Sequence, residues 1–258
     1  MKLNIVPART GVQWVKLGIR TFARQPLALA GLFFMYMAAV IVVAQLPVVG
    51  VLIGGMLVPA ATLGLMAATA EATKGRFPMP SVLISAFRAG RQRVRAMLLL
   101  GLIYTIGSIL ATGLASLIMG APTPATAVPE TRSEIDGTTL LALALHTPLF
   151  LMFWHAPALV HWHGVTPAKS LFFSMVACLK NFGAYLIYGV TWLVVFLGVG
   201  TVFGVLGGLL GGPEMARAVM MPTALLMAAM FSTSIYFTFR DSFVATPDEG
   251  QEPSSQPT

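Results

Sequence analysis

The residues best suited to chemistry in this chain are its 4 histidines. They are His146, His155, His161 and His163. The last three lie close together in the sequence, and clustered imidazoles can bind a metal ion or relay protons. On an intact helix, however, His161 and His163 point about 200° apart, which opposes a preformed site. Because Trp154 and Trp162 accompany them, we predict an interfacial aromatic belt and no metal, with a site at His155, His161 and His163 as the alternative.

Other catalytic signals are missing from the sequence. The chain has no Gly-x-Ser-x-Gly, His-Glu-x-x-His or phosphate-binding loop, and Glu71 is an acidic residue at the inner end of a predicted crossing. The sequence therefore predicts that the protein is not an enzyme and binds no cofactor. A lipid-modifying enzyme that uses the histidines is the alternative.

Basic side chains form the second group with binding chemistry. Three stretches that are too polar to cross a membrane, about 11–25, 80–94 and 167–180, place apolar residues on one helical face and Lys or Arg on another, although Arg93 breaks the pattern. The candidate headgroup-binding residues are Lys16, Arg20, Arg24, Arg88, Arg91, Arg95, Lys169 and Lys180. Such helices lie in the cytoplasmic interface, where each basic residue contributes about 1 kcal/mol of attraction to an anionic surface. Anionic lipid headgroups are the predicted partners, and nucleic acid is not, because the net charge of +7 is spread along the chain without a binding motif.

Small residues recur at helical spacing in three apolar stretches. Candidate packing residues are Gly200, Gly204, Gly208 and Gly212, with Gly207 and Gly211 as a second row, then Ala60, Gly64 and Ala68, then Ala224, Ala228 and Ser232. Small residues four positions apart let two helix backbones approach closely in lipid. We predict packing within one chain, with an oligomer seam or a pore lining as alternatives.

Helices that cross a membrane must position these residues. The chain is 57% hydrophobic and 10% charged, and between Leu27 and Phe239 its charges are confined to short breaks. A charge at the bilayer centre costs about 2.5 to 3.5 kcal/mol on insertion scales, so such stretches suit lipid. The predicted crossings are 27–45, 48–70, 96–119, 138–162, 182–211 and 217–239. The single cysteine, Cys178, excludes an intramolecular disulfide.

The distribution of basic residues predicts the orientation. Of the 16 Lys and Arg residues, six crossings leave only Arg132 and Arg217 on one side. Short cytoplasmic loops carry the excess of Lys and Arg, so both termini are predicted to be cytoplasmic. The outside loop 121–137 is predicted to be irregular, and the tail 241–258 is predicted to be disordered.

The order of the segments suggests a repeated unit. An interfacial helix followed by a pair of crossings begins near residues 11, 80 and 167. The fold class is thus all-α: a polytopic bundle of six transmembrane helices with three cytoplasmic interfacial amphipathic helices, forming a single membrane domain over 1–240.

Three segments carry a likeness to a known family. They are PARTGVQWVKLGIRTFARQPLALAGLFFMYM, LVPAATLGLMAA and FWHAPALVHWHGVTPAKSLFFSMVACLKNFGAYLIYG. The chain resembles, over most of residues 5–240, an uncharacterised family of proteobacterial multi-pass inner-membrane proteins, which implies a bacterial inner-membrane location. It is more remotely similar to the membrane domain of some glycerophosphodiester phosphodiesterases, whose soluble catalytic domain has no counterpart in these residues. Neither likeness implies an activity or a catalytic residue.

The predicted function follows from the basic helices and the lack of a reactive cluster. We expect an integral inner-membrane protein, not an enzyme, that organises lipid or a protein partner through its basic interfacial helices. A small-molecule or ion permease is the alternative suggested by the proline-broken, glycine-lined helices. A homo-oligomer or a membrane-protein partner is left open.

Overall fold

A computed structural model shows a mostly helical protein, as the sequence predicts. The structure describes residues 1–47, 49–119 and 137–244. Its elements are β1 (Lys2–Leu3), α1 (Thr10–Arg24), α2 (Pro26–Ala44), α3 (Val49–Thr73), a 3-10 helix (Pro80–Ile84), α4 (Ser85–Arg88), α5 (Arg91–Met119), α6 (Gly137–Phe153), α7 (Ala156–His163), α8 (Pro167–Lys180), α9 (Phe182–Ser242) and β2 (Phe243–Val244). Of the loop predicted over 121–137, residues 121–136 lie outside the described residues, and Gly137 begins α6. Of the tail predicted to be disordered over 241–258, residues 245–258 lie outside them, whereas 241–244 are ordered: α9 continues to Ser242 and β2 follows it.

Several of these helices are long and apolar enough to cross a membrane, which confirms the predicted class of protein. Within the described ranges they are Pro26–Ala44, Val49–Thr73, Arg91–Met119, Thr139–His163 and Phe182–Ser242. The last contains 61 residues and is interrupted at Gly211 and Gly212. Gly212 has φ +72°, a left-handed conformation that favours glycine, so it lies in the break and not on the packing face where the sequence places it.

The structure differs from the single interfacial helix predicted over 80–94. Pro80 opens a short 3-10 helix, α4 ends at Arg88, and α5 begins at Arg91. Gly90 separates α4 from α5 with φ +92°, a conformation that a helix cannot include. Arg91 and Arg95 therefore belong to the first turns of a helix that is long and apolar enough to cross a membrane, and only Arg88 remains in the short segment.

The predicted crossing at 138–162 is divided into α6 and α7. The interruption falls at Trp154 and His155, just before Pro157 in the first turn of α7. A proline there cannot donate to the carbonyl of residue 153 and displaces it sterically, so α6 ends. The Ser174 hydroxyl accepts the His155 N–H at 2.9 Å and donates to the Leu151 carbonyl at 2.7 Å. This bridge satisfies two backbone groups that the interruption releases.

The chain forms two compact units. Unit 1 is Met1–Ala38, Thr62–Ser85 and Val176–Thr258, and unit 2 is Ala39–Ala61 and Ala86–Met175. An apolar cluster in unit 1 contains Phe22, Leu29, Leu32, Phe33, Ala68, Ala72 and Ala229. In unit 2 the backbones of α3 and α5 approach closely, because a Cβ added at Gly101 would lie 2.9 Å from Met56 Cα.

Candidate functional site

The first amphipathic helix, α1, is packed against protein along its apolar face. In unit 1, Trp14 is 0% exposed, and its ring centroid lies 5.2 Å from that of Tyr185 and 6.0 Å from that of Tyr188. Gly18 lies against Ser234, so that a Cβ at position 18 would be 2.8 Å from Ser234 Cα. The sequence predicts that this face enters the lipid. The structure instead buries it on both parts of α9, because Tyr185 and Ser234 lie on either side of the break.

A set of long-range hydrogen bonds, here called the terminal clasp, joins both ends of unit 1. Its residues are Asn4, Val6, Trp14, Asn181 and Asp241. Asn181 Oδ1 accepts the Val6 N–H at 2.8 Å, and its Nδ2 donates to the Asn4 carbonyl at 3.1 Å. Trp14 Nε1 donates to Asp241 Oδ2 at 2.9 Å, and Asn4 Nδ2 donates to the Asp241 carbonyl at 2.9 Å. The clasp holds the antiparallel β1 and β2 pair beside α1.

The eight predicted headgroup-binding side chains are all exposed. In unit 1 they are Lys16, Arg20, Arg24 and Lys180, here called the first basic set, and in unit 2 they are Arg88, Arg91, Arg95 and Lys169, here called the second basic set. None of the eight forms an ion pair with another described residue. Their charges are therefore available to an external anion.

Every acidic residue of the described ranges is already paired with a basic neighbour. Arg76 Nε lies 2.6 Å from Glu71 Oε2, and Lys74 lies 3.8 Å from the same carboxylate. Arg217 contacts Glu214 at 3.2 Å, and Arg240 contacts Asp241 at 2.8 Å. In unit 2 the described residues include no Asp or Glu at all. Nothing in the described chain is left to neutralise either basic set.

The third amphipathic helix, α8, differs from α1 in what covers its apolar residues. Its buried side consists of small residues, Ser170, Ser174, Ala177 and Cys178. Phe172 and Leu179 are 57% and 55% exposed, and both lie between Lys169 and Lys180 in the sequence. Large apolar side chains between flanking lysines are typical of a helix that lies in the membrane interface.

The histidines do not come together in the structure. His155 is fully buried at the start of α7, whereas His161 and His163 lie in its last turn. Within residues 1–47, 49–119 and 137–244, no three His, Cys, Asp or Glu side chains form a group that could hold a metal ion. His146 lies elsewhere, where Nδ1 donates to the Ala142 carbonyl at 2.7 Å and Nε2 accepts from Ser108 Oγ at 3.2 Å. Both nitrogens of a neutral imidazole are thereby satisfied, which suits a structural role between α5 and α6.

The two glycine rows of the last apolar stretch differ in how closely they approach other backbones. Added Cβ atoms at Gly200 and Gly204 would meet only the Met220 side chain, at 3.8 and 3.7 Å, and one at Gly208 would meet nothing within 4 Å. Gly207, in the neighbouring row, lies 2.8 Å from Ala216 Cα by the same measure. In α3, a Cβ added at Gly64 would lie 2.8 Å from Leu83 Cα. Ala60 and Ala68, four residues before and after Gly64, are buried. A packing role for Gly200, Gly204 and Gly208 stays a prediction.

Comparison with known proteins identifies the chain's relatives. A Burkholderia thailandensis protein named as a probable inner membrane protein is 37% identical over 254 residues, which cover 94% of each chain. The chain belongs to the family of this inner-membrane protein. This similarity confirms the prediction that the chain belongs to a family of inner-membrane proteins. The relative's name gives a location and no activity. No protein-family model and no solved structure matches the chain.

Proposed function

We propose that this member of the inner-membrane family is a non-enzymatic protein that binds anionic lipid headgroups at the cytoplasmic face through its basic helices. The observation that supports the proposal is the imbalance of charge: both basic sets are exposed and without an ionic partner, while each described carboxylate is occupied by a neighbouring cation. Uncompensated charges at a membrane surface attract anionic lipids by about 1 kcal/mol per residue. The protein would therefore gather such lipids around it. A basic surface for an acidic protein partner is the alternative use of the same charges.

The proposed architecture has six crossings with both termini in the cytoplasm. Pairing of Lys2 with Val244 and of Leu3 with Phe243 favours an even number of crossings, since it puts both ends of the described chain on one side. Division of α9 at Gly211 and Gly212 supports a sixth crossing, because the parts 182–210 and 213–242 are each long enough, at about 1.5 Å per residue, to span the bilayer. The bias of Lys and Arg assigns the shared side to the cytoplasm.

The threefold unit is part of the same proposal. An amphipathic segment precedes each pair of crossings: α1 before α2 and α3, α4 with the 3-10 helix before α5 and the α6–α7 pair, and α8 before the two parts of α9. The remote likeness to the membrane domain of glycerophosphodiester phosphodiesterases rests on this alternation and stays a prediction about architecture.

Neutralising part of the second basic set is expected to reduce lipid enrichment. The variant Arg88→Gln, Arg91→Gln, Arg95→Gln removes about 3 kcal/mol of summed attraction to an anionic surface. Protein extracted from the membrane in polymer nanodiscs is analysed for its ratio of phosphatidylglycerol to phosphatidylethanolamine. We expect enrichment of phosphatidylglycerol over the bulk membrane for the natural protein and a clear decrease for the variant.

The matched control is Lys74→Gln, Arg76→Gln, Arg240→Gln. It removes the same number of charges, but each of these cations is held by a carboxylate of the chain. We expect the control to keep the natural lipid ratio. Equal ratios for both variants and the natural protein would contradict the proposed function.

Selective labelling with a membrane-impermeant maleimide tests the orientation. Burial raises the pKa of the Cys178 thiol to about 12, against a lowering contribution from a Tyr185 hydrogen bond. The reactive thiolate is therefore scarce at pH 8, and we expect no labelling of the folded natural protein until it is denatured. In intact spheroplasts, Arg217→Cys should react and Lys74→Cys should react only after permeabilisation. The reverse result would overturn the proposed orientation.

No specific observation in the described residues favours the two alternative functions. A cleft of about 390 Å³ between the parts of α9 is lined by apolar side chains such as Val199, Phe203 and Leu226, with Thr223 as its one hydroxyl, which suits an acyl chain better than a hydrated solute. Reconstituted flux that Gly204→Leu abolishes would nevertheless support a permease. Lipid turnover that is lost on replacing His155, His161 and His163, with insertion retained, would support an enzyme.

A further inference from the structure

A polar cleft lies in unit 2 at the beginning of α5. It has a volume of about 250 Å³, and its walls are the first turn of α5 and the connection from α7 to α8. Gln92 and Arg93 line it from α5, Val160 lines it from α7, and Thr166 and Pro167 line it from the connection. Arg93 breaks the amphipathic pattern predicted over 80–94, as Ile84 also does. Its position in this wall gives it a role separate from that of Arg88, Arg91 and Arg95, which line a different cleft.

The polar side chains of this cleft are hydrogen-bond donors suited to an anion. Arg93 presents a guanidinium fork, Gln92 an amide NH₂ and Thr166 a hydroxyl, and no carboxylate is among the lining residues. The cleft thus combines the positive charge of Arg93 with two neutral hydrogen-bond donors.

The level of the cleft in the membrane indicates which kind of anion it would bind. One candidate membrane span begins at Arg91 and another ends at His163, so the cleft lies where two crossing helices leave the hydrocarbon. Lipid phosphates occupy this level of a bilayer. A water molecule takes about 30 Å³ of liquid, so the cleft has room for a phosphate and part of its glycerol, but not for a whole lipid.

We propose that this cleft binds the phosphate of an anionic glycerophospholipid, with Arg93 as its principal ligand. Two guanidinium N–H groups face two phosphate oxygens, the geometry that arginine forms best with phosphate. Gln92 and Thr166 donate to the remaining oxygens, and Val160 and Pro167 cover the glycerol. This inference rests on the proposed function and deepens it: one bound lipid in a defined site is added to the general attraction of the basic sets.

Native mass spectrometry of the full-length protein from nanodiscs tests the site. The discs contain phosphatidylethanolamine with a minor fraction of phosphatidylglycerol, and the readout is the fraction of protein that retains phosphatidylglycerol after gas-phase release. Arg93→Gln should lower the affinity for the retained lipid about tenfold, because it loses the charged bidentate contact. Arg93→Lys keeps the charge but loses the two-pronged guanidinium, so its affinity for the lipid should lie between those of the natural protein and Arg93→Gln. Arg76→Gln is the matched control, since its cation is bound to Glu71.

Each remaining outcome has a defined meaning. The proposed site would be wrong if Arg93→Gln retained as much phosphatidylglycerol as the natural protein. It would also be wrong if Arg76→Gln lost as much of this lipid as Arg93→Gln. Inorganic phosphate that displaces the retained lipid at millimolar concentration would assign the cleft to a soluble anion and overturn the lipid assignment. Should Arg93→Gln fail to fold, Thr166→Ala removes one donor from an exposed loop and should still weaken retention.

The site and the proposed function fail in different ways. If Arg93→Gln keeps its bound lipid while the variant of Arg88, Arg91 and Arg95 loses enrichment of surrounding lipid, the site is wrong and the function stands. If enrichment persists in that variant while Arg93→Gln loses the retained molecule, the general attraction is wrong and the single site stands.

Discussion

Replacing Gly18 with leucine is expected to unfold unit 1 locally by separating α1 from α9. A Cβ at this position would lie 2.8 Å from Ser234 Cα and 3.1 Å from Ser234 N, and backbone atoms cannot move aside as a flexible side chain can. Ser234 is itself fixed, because its Oγ accepts from Trp192 Nε1 at 3.1 Å and lies 2.6 Å from Tyr188 Oη. We expect a loss of about 3 kcal/mol or more in the free energy of unfolding, the upper range for overpacking. Titration with a denaturing detergent, followed by tryptophan fluorescence, measures this loss.

Gly31→Leu is the matched control for this substitution. Gly31 lies in α2, and a Cβ there would meet nothing within 4 Å. The leucine would lie on the exposed surface of a predicted crossing, and an apolar side chain is favourable there because it contacts lipid. We expect natural stability for Gly31→Leu. Leucine has a higher helix propensity than glycine, so propensity alone would stabilise both variants. A similar loss for both would therefore show that the effect is not specific to position 18 and would contradict the close contact of α1 with α9.

The membrane character of the chain could be predicted because the cost of burying charge in lipid constrains the whole sequence. The six predicted crossings correspond to the five long apolar segments of the structure, since the last two predicted crossings both lie in α9. The α2–α3 turn falls at Gln45 to Pro47, where the sequence places it, since proline and a polar residue mark it. The end of α6 before Pro157 has the same kind of local signal, because a proline interrupts the helix that precedes it.

What covers an apolar face could not be predicted from its periodicity. Protein interior and lipid are both apolar, so α1 and α8 have similar patterns, yet Val15 is buried by protein while Phe172 is exposed. Gly11 and Gly18, seven residues apart on the buried face of α1, are a signal that could have distinguished the two, because small residues mark close helix contacts in membranes. The row Gly200, Gly204 and Gly208 carries the same signal without a close backbone contact in the described chain. Spacing alone therefore does not identify the glycines in contact.

The terminal clasp could not be predicted because its partners are far apart in the chain. The bond from Val6 to Asn181 joins residues 175 positions apart, and that from Trp14 to Asp241 joins residues 227 apart. An isolated Asn or Asp near a helix end suits many local roles, such as a cap or a turn, and nothing in its neighbours specifies a distant partner. Arg93 is similar: it breaks a local pattern, and only the fold places it beside Thr166.

Trp14→Ala is the second substitution with a large expected effect. Trp14 is fully buried in unit 1, where it contacts the rings of Tyr185 and Tyr188 and donates to Asp241. Truncation of a buried aromatic side chain to alanine costs about 3 to 5 kcal/mol, because the site relaxes only partly around the cavity. Asp241 would in addition keep only the Arg240 guanidinium as a side-chain partner among the described residues. We expect the terminal clasp to open and α1 to become accessible to protease in detergent.

Two further variants separate packing from hydrogen bonding at this position. Trp14→Phe keeps most of the ring contacts and removes the Nε1 donor, and it should cost about 1.5 to 3 kcal/mol, the range for a hydrogen bond to a charged group. Asp241→Asn keeps an acceptor for Trp14 Nε1 but loses the charge, so its cost should be smaller. Trp162→Ala, at a half-buried tryptophan in unit 2, controls for the loss of an aromatic residue and should leave α1 protected from protease. If Trp14→Ala left α1 protected as well, contacts other than that of Trp14 would hold α1, and the predicted role of Trp14 would be wrong. Cleavage of α1 in the natural protein under the same conditions would contradict its buried position.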